Sequence, residues 1–293
     1  MLNYTSIIQK INSDLFSQKK VDVSVLRLDL IHPEISGNKW FKLKYNLEEA
    51  KRLGHDTILT YGGAFSNHIH ATAVACKQTG FKSIGIIRGE KSSLTNHTLS
   101  DAAANGMKLF FVSREDYNQK NNPEYIKSLT EKFGKFYLVP EGGDNELGMK
   151  GCEEILPPEN DFEMIMCACG TGTTFRGISN SLKPFQKIIG ISVLKGTGEL
   201  NSLAGVNPDY HFGGYAKHTN ELLEFKKNFE TQNHIPLDYV YTSKLFYAAN
   251  DLINSGKLGG KILIVHSGGL QGNRGYEDRY ALNPKRKVNE PQG

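Results

Sequence analysis

The hydrophobic pattern of the chain alternates between two periods. Short runs rich in β-branched residues predict buried strands, and the stretches between them, whose apolar residues recur every three or four positions, predict helices. In the first half the predicted strands and helices are residues 57–61, 67–79, 83–88, 96–105, 107–112, 123–133 and 136–139. The second half predicts strands at 163–169, 187–193 and 261–266 and helices from Thr174, at 219–231 and at 243–255. This alternation is typical of parallel sheets covered by helices.

The strand–helix alternation restarts after Pro140, which divides the pattern into two parts. A chain of 293 residues is also long for a single hydrophobic core. We therefore predict an α/β protein with two open, twisted, mostly parallel sheets, each with flanking helices.

Composition and charge exclude several classes of protein. The chain is 39% hydrophobic and 23% charged, as in ordinary globular domains, and its net charge of +4 is too small to indicate a nucleic-acid partner. Apolar runs fall short of a membrane span, and the first twenty residues lack the apolar segment of a secretory signal. The four cysteines have neither disulfide-framework nor zinc spacing. We expect no metal and no membrane partner, and a reducing, cytoplasmic setting.

Three glycine-rich segments follow predicted strands, where open α/β sheets bind ligands. Segment 170–174, Gly-Thr-Gly-Thr-Thr, could direct backbone amides and threonine hydroxyls at one anion, although a tight turn with capping threonines explains it equally well. In segment 62–68, spacing alone favours Ser66 or Asn67 as a plain helix cap. Segment 266–269 could be a simple exit turn.

A lysine stands at the predicted start of a further helix, directly after Gly37 and Asn38. Most lysines at such positions lie on a solvated face. Near a helix N-terminus and a second lysine, Lys42, however, Lys39 would have a lowered pKa. A lowered amine pKa is what imine chemistry with an aldehyde requires.

Taken together, these motifs resemble the fold type II pyridoxal-phosphate enzymes, the relatives of tryptophan synthase β. They resemble most closely the branch of 1-aminocyclopropane-1-carboxylate (ACC) deaminase and D-cysteine desulfhydrase, from about Arg27 to Tyr276. The resemblance implies pyridoxal 5′-phosphate as cofactor, a small amino acid as substrate and a homodimer. It also implies a large cofactor-binding lobe of residues 1–40 and 136–293, with a small lobe, 41–135, inserted into it.

The resemblance also implies which residues bind the cofactor. Within the family Gly-Asn-Lys carries the Schiff-base lysine, so this role falls to Lys39, and Lys42 contacts the phosphate. Asn67 would hold the cofactor's 3′-oxygen. The family's phosphate loop corresponds to Gly170, Thr171, Gly172, Thr173 and Thr174.

A second group of residues would face the substrate. Ser66 would lie beside the substrate's carboxylate and α-carbon, with Asn67 and His68 completing the motif, and two tyrosines flank the substrate in ACC deaminase. Their best matches here are Tyr215 and Tyr241.

Departures from the ACC deaminase pattern favour the desulfhydrase branch. Thr242 stands where ACC deaminase has a Glu facing the pyridine nitrogen, and Ser267 replaces a Leu. The resemblance implies that both residues contact the cofactor. The desulfhydrase branch prefers small hydroxyl residues at both positions and a His where His68 stands. Phe65 and His70 fit neither branch, which leaves the substrate open.

We therefore expect α,β-elimination on a small amino acid such as D-cysteine, giving pyruvate, ammonia and sulfide. Lys39 would take the α-proton and Tyr241 or Tyr215 would protonate the leaving group. The alternative within the family is ACC ring opening to 2-oxobutyrate and ammonia. A fold type II enzyme acting on L-threonine, diaminopropionate or O-acetylserine is less favoured, and a small-molecule binder without catalysis is the alternative from another class. The sequence leaves the enantiomer open.

Overall fold

The computed structural model describes residues 5–89, 96–196 and 198–280. Within them the strands are β1 Ile8–Lys10, β2 Asp22–Arg27, β3 Thr57–Gly63, β4 Lys82–Arg88, β5 Met107–Val112, β6 Tyr137–Val139, β7 Met164–Cys169, β8 Lys187–Ser192, β9 Val206–Asn207 and β10 Lys261–His266. The α-helices are α1 Asp14–Gln18, α2 Asn38–Arg52, α3 Asn67–Thr79, α4 His97–Ala104, α5 Arg114–Asn118, α6 Pro123–Phe133, α7 Glu146–Cys152, α8 Thr173–Asn180, α9 Asn220–Asn233, α10 Thr242–Asn254 and α11 Asn273–Arg279. None of these described helices is long and apolar enough to cross a membrane.

The chain folds as two compact units. The first comprises Met1–Arg52 and Gly142–Leu270, and the second comprises Leu53–Glu141 and Gln271–Gly293, each as far as its residues are described. The long segment of the second unit thus interrupts the chain of the first. Helix α2 belongs to the first unit, because it packs along α7, whereas the sequence placed the boundary at residue 40. Assignment of cofactor binding to the larger lobe stays a prediction.

The first unit contains a six-stranded sheet in the order β1-β2-β10-β7-β8-β9. All neighbours are parallel except β1 and β2. Val23 and Val25 of β2 and Ile262 and Ile264 of β10 are each 0–1% exposed and pack with α10. Full burial of such a side chain contributes roughly 1.5–3 kcal/mol, so this central strand pair is a main source of the unit's stability.

The second unit contains a four-stranded, fully parallel sheet in the order β5-β4-β3-β6. Helix α3 covers one face, where Ile69 packs with Ile87 and Met107. A separate hydrophobic cluster joins the sheet to α5 and α6: Tyr61 of β3 packs there with Tyr117 of α5 and Leu129 of α6. Cover on both faces is typical of parallel sheets. The predicted fold class, two mostly parallel α/β sheets, is confirmed.

The three central strands of the first unit bring distant segments to one edge. Strands β2, β10 and β7 run parallel, so their carboxyl ends lie at the same edge of the sheet. Strand β2 leads toward the start of α2, β10 leads to Ser267, and β7 leads to segment 170–174. This is the edge at which open α/β sheets bind ligands.

Candidate active site

Lys39 is the second residue of α2, and backbone hydrogen bonds fix the start of that helix. The Gly37 amide donates to the Leu28 carbonyl (2.8 Å) and the Asn38 amide to the Ser267 carbonyl (3.2 Å). Lys39 is half-buried, and its Nζ donates to the side-chain carbonyl of Asn38. Asn38 therefore contacts both the amine of Lys39 and Ser267, the residue directly after β10.

The surroundings of Lys39 lower its pKa to about 7. Burial is the largest cause, because it disfavours the charged form, and the nearby cation of Lys42 is the second. Burial also lowers the pKa of Lys42. The direction that the sequence predicted for the pKa of Lys39 is confirmed, but its largest cause is burial rather than the helix N-terminus.

Segment 170–174 joins β7 to α8 and presents hydrogen-bond donors. Gly172 takes a left-handed conformation (φ +90°) at the helix N-cap, and within the described chain no side chain caps this helix. The Asn38 side-chain amide donates to Thr174 Oγ1 (2.8 Å), which links the segment to Lys39. Uncapped amides at a helix start attract anions.

Two threonine hydroxyls of this segment form a directed chain of hydrogen bonds. Thr173 Oγ1 donates to Asp144 Oδ1 (2.6 Å), so it must accept from Thr171 Oγ1 (2.8 Å). Thr171 Oγ1 in turn accepts from Lys42 Nζ at 3.4 Å. Arg176 lies 3.8 Å from the Asp144 carboxylate. The segment therefore has two cations and one carboxylate around it.

Tyr241 lies between the lysine and the threonine segment. The Nζ atom of Lys39 is 6.0 Å from the centre of the Tyr241 ring. A Cβ added to Gly170 would lie 3.2 Å from that ring, so the ring rests against the backbone there. Tyr215 meets Tyr241 edge-on, with ring centres 6.1 Å apart, and is 44% exposed. Tyr241 thus lies near Lys39, and Tyr215 contacts Tyr241.

Thr242 begins α10 and is fully buried. Its hydroxyl donates to Asp238 Oδ1 (2.8 Å) and accepts from the Asp238 amide (2.7 Å). The Asp238 carboxylate also accepts the amides of Val240, Tyr241 and Thr242. Asp238 therefore fixes the turn that carries the two predicted site residues Tyr241 and Thr242. The role of Thr242 opposite a pyridine nitrogen stays a prediction.

Ser267 follows β10 and is 7% exposed. Its carbonyl accepts the Asn38 amide, and a Cβ added to Gly37 would overlap that carbonyl. The backbone of Ser267 thus touches the start of α2. A cofactor contact of its hydroxyl stays a prediction.

Ser66 and Asn67 lie in the second unit, at the start of α3. Ser66 Oγ accepts the Ile69 amide (3.3 Å), so Ser66 is the helix N-cap. This cap accounts for Ser66 without a ligand. Its predicted substrate role, like the cofactor role of Asn67, stays a prediction.

His68 is buried in the first turn of α3 with its ring directed at β3. Its Nε2 lies 2.9 Å from Thr60 Oγ1, which donates to the Val139 carbonyl (2.8 Å). Thr60 uses its hydrogen on that carbonyl, so His68 Nε2 carries the hydrogen of their shared bond. His68 therefore joins α3 to two strands, and a substrate role stays a prediction.

The two residues that fit neither family branch also lie in this region. Phe65 packs against Gly275 and lies 5.6 Å from the Arg279 guanidinium, and His70 is 5% exposed in α3. Their surroundings in the second unit do not explain the departure from the family pattern.

The first unit brings together most of the predicted site. Its described residues include the predicted lysines, threonine segment and tyrosines, with Thr242 and Ser267, whereas Ser66, Asn67 and His68 belong to the second unit. Sequence reasoning assigned no role to Asp144 or Asp238 and missed the bridging role of Asn38. Asp238 could have been found as a turn residue, because an Asp side chain often accepts the backbone amide two residues on, as it does from Val240 here. Asp144 had no such signal, because its partner Thr173 lies 29 residues away.

Comparison with known proteins identifies the family. No family model matches the chain. A protein of Pyrococcus furiosus assigned as a 1-aminocyclopropane-1-carboxylate deaminase is 33% identical over 88% of each chain. The chain belongs to the ACC deaminase and D-cysteine desulfhydrase family. The bifunctional mitochondrial D-cysteine desulfhydrase/ACC deaminase of Arabidopsis thaliana is 34% identical over 85% of this chain and 72% of the plant protein.

The fold supports the same membership. The crystal structure of an ACC deaminase homologue superposes with a TM-score of 0.80 at 29% identity, covering 96% of this chain and 94% of that one. The family resemblance predicted from the sequence is confirmed, and the protein is an enzyme of the ACC deaminase and D-cysteine desulfhydrase family.

Proposed function

We propose that this protein is a pyridoxal-phosphate-dependent lyase that eliminates the β-substituent of a small amino acid such as D-cysteine, with pyruvate, ammonia and sulfide as products. The observation that carries the proposal is the half-buried amine of Lys39, with its pKa of about 7 beside the uncapped start of α8. A neutral amine next to an anion-binding turn suits a ligand with an aldehyde and a phosphate.

The residues of the first unit fit pyridoxal phosphate by their chemistry. Lys42 and Thr171, with the first amides of α8, would hold the phosphate, and Lys39 would bond the aldehyde. When bound, the cofactor supplies an electron-accepting ring that stabilises negative charge at the substrate's α-carbon.

The chain's own residues would move the protons. Lys39 takes the α-proton, since a base with a pKa near the working pH both accepts and returns a proton readily. The positive charge of Lys42 adds to the effect of burial in lowering the pKa of Lys39. Tyr241, next to Lys39, gives a proton to the departing thiolate, with Tyr215 as the other candidate. Ser66 and the first amides of α3 would bind the substrate carboxylate.

Thr242 favours elimination over ring opening. A carboxylate opposite the pyridine nitrogen would keep that nitrogen protonated, and a hydroxyl provides much weaker stabilisation. Expulsion of a thiolate needs less charge stabilisation than cleavage of a cyclopropane carbon–carbon bond. ACC deamination is the second candidate, supported by the names of the Pyrococcus and Arabidopsis relatives.

Turnover of three substrates tests the proposal. Purified protein with pyridoxal phosphate is incubated with D-cysteine, L-cysteine or ACC, and sulfide, pyruvate and 2-oxobutyrate are measured. We expect sulfide and pyruvate from D-cysteine. Lys39→Ala should lose at least about 10³-fold in rate, since it removes the base and the covalent attachment, while Lys51→Ala, an exposed change on the same helix, should retain activity. Oxobutyrate from ACC without sulfide from D-cysteine would reverse the order of the two candidates.

A spectrum separates the enzyme from a binder without catalysis. The bond between Lys39 and pyridoxal phosphate should absorb violet light, and borohydride should fix the cofactor on the Lys39 peptide in mass spectrometry. A protein that stays colourless with the cofactor would support the binder.

The homodimer and the cytoplasmic location are also proposals. The homodimer comes from the family resemblance, and light scattering of the purified protein tests it. The described chain has four free cysteines, all buried, and a reducing compartment suits them. Fractionation of cells tests the location.

A further inference from the structure

Lys244, in the first turn of α10, is a fully buried lysine that the proposed chemistry does not use. Its Nζ donates to the backbone carbonyls of His211 (2.8 Å) and Gly214 (2.7 Å). Burial lowers its pKa to about 8, so it is mostly an ammonium at neutral pH. A buried ammonium is unfavourable unless its donors are used, and these two carbonyls use two of its three donors.

Both carbonyls begin turns in segment 210–217, which we call the tyrosine loop because it carries Tyr215. The His211 carbonyl also accepts the Gly214 amide (3.0 Å), and the Gly214 carbonyl also accepts the Lys217 amide (3.2 Å). The loop therefore consists of two successive β-turns. Lys244 binds the carbonyl that closes each of them.

The backbone of the tyrosine loop is strained. Phe212 (φ +51°) and Ala216 (φ +53°) take the left-handed conformation that L-residues disfavour, and the two glycines between them also have positive φ. Such a backbone persists only where its surroundings fix it. Phe212 packs edge-on against Tyr247, with ring centres 4.9 Å apart, which supports the first turn. The carbonyl of Gly214, directly before Tyr215, is bound by Lys244.

We propose that Lys244 is a positioning residue that holds the tyrosine loop in its strained form and so keeps the Tyr215 ring against Tyr241. The proposed effect of Lys244 on the loop backbone follows from its hydrogen bonds to His211 and Gly214. The effect on catalysis rests on the proposed function, in which Tyr215 faces the substrate.

Hydrogen–deuterium exchange of the holoenzyme tests the backbone effect. Lys244→Met keeps the length and apolar stem of the side chain but removes its donors. We expect the Gly214 and Lys217 amides to exchange about tenfold faster or more in this variant, because charge-assisted hydrogen bonds to both turns are lost. The matched control is Lys226→Met. Lys226 is 7% exposed, pairs with Glu230 within α9 and lies 4.3 Å from the centre of the Tyr239 ring, so these partners lie outside the tyrosine loop and its loss should leave that loop unchanged.

Kinetics test the effect on catalysis. If Lys244 acts through Tyr215, Lys244→Met should lower kcat/KM for D-cysteine by up to about 100-fold, the size of loss that a small misplacement causes. The double variant with Tyr215→Phe should then lose no more than the larger single loss, and the violet absorbance should be unchanged. Additive losses, or equal exchange of the two amides in wild type and variant, would overturn the proposal.

The outcomes separate this proposal from the proposed function. A wild-type protein without colour or turnover contradicts the function, whereas exchange still decides the role of Lys244. If Lys244→Met does not fold, exchange in the wild-type protein decides: the Gly214 and Lys217 amides should be protected although Tyr215 is 44% exposed. Unprotected amides would contradict the role.

Discussion

At the scale of single residues, burial makes three lysines of this protein weaker bases. The pKa is lowered for Lys39, Lys42 and Lys244, and in each case burial is the largest cause. The three amines have different partners. Lys39 meets one side-chain carbonyl and lies near a cation, whereas Lys244 meets two backbone carbonyls. Lys39 is thus suited to react with an aldehyde, and Lys244 is suited to hold the backbone of the tyrosine loop.

The pH dependence of aldehyde addition should reveal the pKa of Lys39. The neutral amine is the reactive form, so the rate of bond formation with pyridoxal should rise about tenfold from pH 6 to pH 8 and then level off. An ordinary lysine would keep gaining reactivity up to about pH 10. The measurement is the initial rate of violet absorbance at constant ionic strength.

Lys42→Met tests the cause of the lowered pKa in the same pH series. The charge of Lys42 lowers the pKa of Lys39, so its removal should move the midpoint to higher pH. Pyridoxal lacks a phosphate, so the predicted phosphate contact of Lys42 does not affect this comparison. A midpoint that stays in place would show that burial alone sets the pKa.

At the scale of elements, a contact between two backbones sets where α2 begins. Gly37 has φ +72°, and a Cβ there would overlap the Ser267 carbonyl. Gly268, on the other side of the contact, also has a positive φ (+74°). The first residues of α2 can therefore approach the end of β10 closely only because Gly37 has no side chain.

Gly37→Ala should disrupt this contact, and Gly54→Ala is its matched control. Gly54 has a similar φ of +69°, but a Cβ there meets nothing within 4 Å. We expect Gly54→Ala to lower the free energy of unfolding by about 1–2 kcal/mol, from backbone strain alone. Gly37→Ala should cost about 1–3 kcal/mol more, because atoms overlap, and should weaken the violet absorbance through Lys39. Urea unfolding of both variants measures this, and equal losses would contradict the contact.

Elements with a strong local pattern could be predicted from the sequence. The residues of α3 and β10 were predicted to the end residue, because Ser66 and Gly80 mark the two ends of α3 and the interior of β10 is an uninterrupted apolar run. Strand β2 was missed although its valines alternate with Asp22 and Ser24, a pattern typical of a strand. Its pairing could not be predicted, because its partner β10 follows more than 230 residues later. Helix α7 was missed because its glycines resemble a loop.

The glycines of α7 have a packing reason that no local pattern shows. A Cβ on Gly151 would overlap the Phe41 carbonyl, so the glycine lets α7 lie close against α2. The predicted site residues show the same difference between local motifs and long-range contacts. Lys39 and segment 170–174 were found by local motifs, whereas Lys244 was not, because its partner Gly214 is 30 residues away.

At the scale of the whole molecule, cofactor binding should stabilise the folded chain. The predicted cofactor residues of the first unit come from segments far apart in sequence, so only the folded protein can bring them together. Pyridoxal phosphate at about 100 times its Kd should therefore add about 2.7 kcal/mol to the free energy of unfolding. Thermal or urea unfolding with and without the cofactor measures this gain. The Lys39→Ala variant should show only part of this gain in stability. An equal gain in the variant and the wild-type protein would indicate that the cofactor binds away from Lys39.

The pairing of β2 with β10 has a consequence for how the protein is made. Residues 22–27 leave the ribosome well before their partners, 261–266, which follow more than 230 residues later in the chain. At roughly 5–20 residues per second, the early strand waits on the order of ten to fifty seconds with its valines uncovered. The segment from Leu53 to Glu141 can collapse meanwhile. Nascent chains stalled before residue 261 should therefore recruit chaperones, and a premature stop codon there should leave the amino-terminal strand open to aggregation.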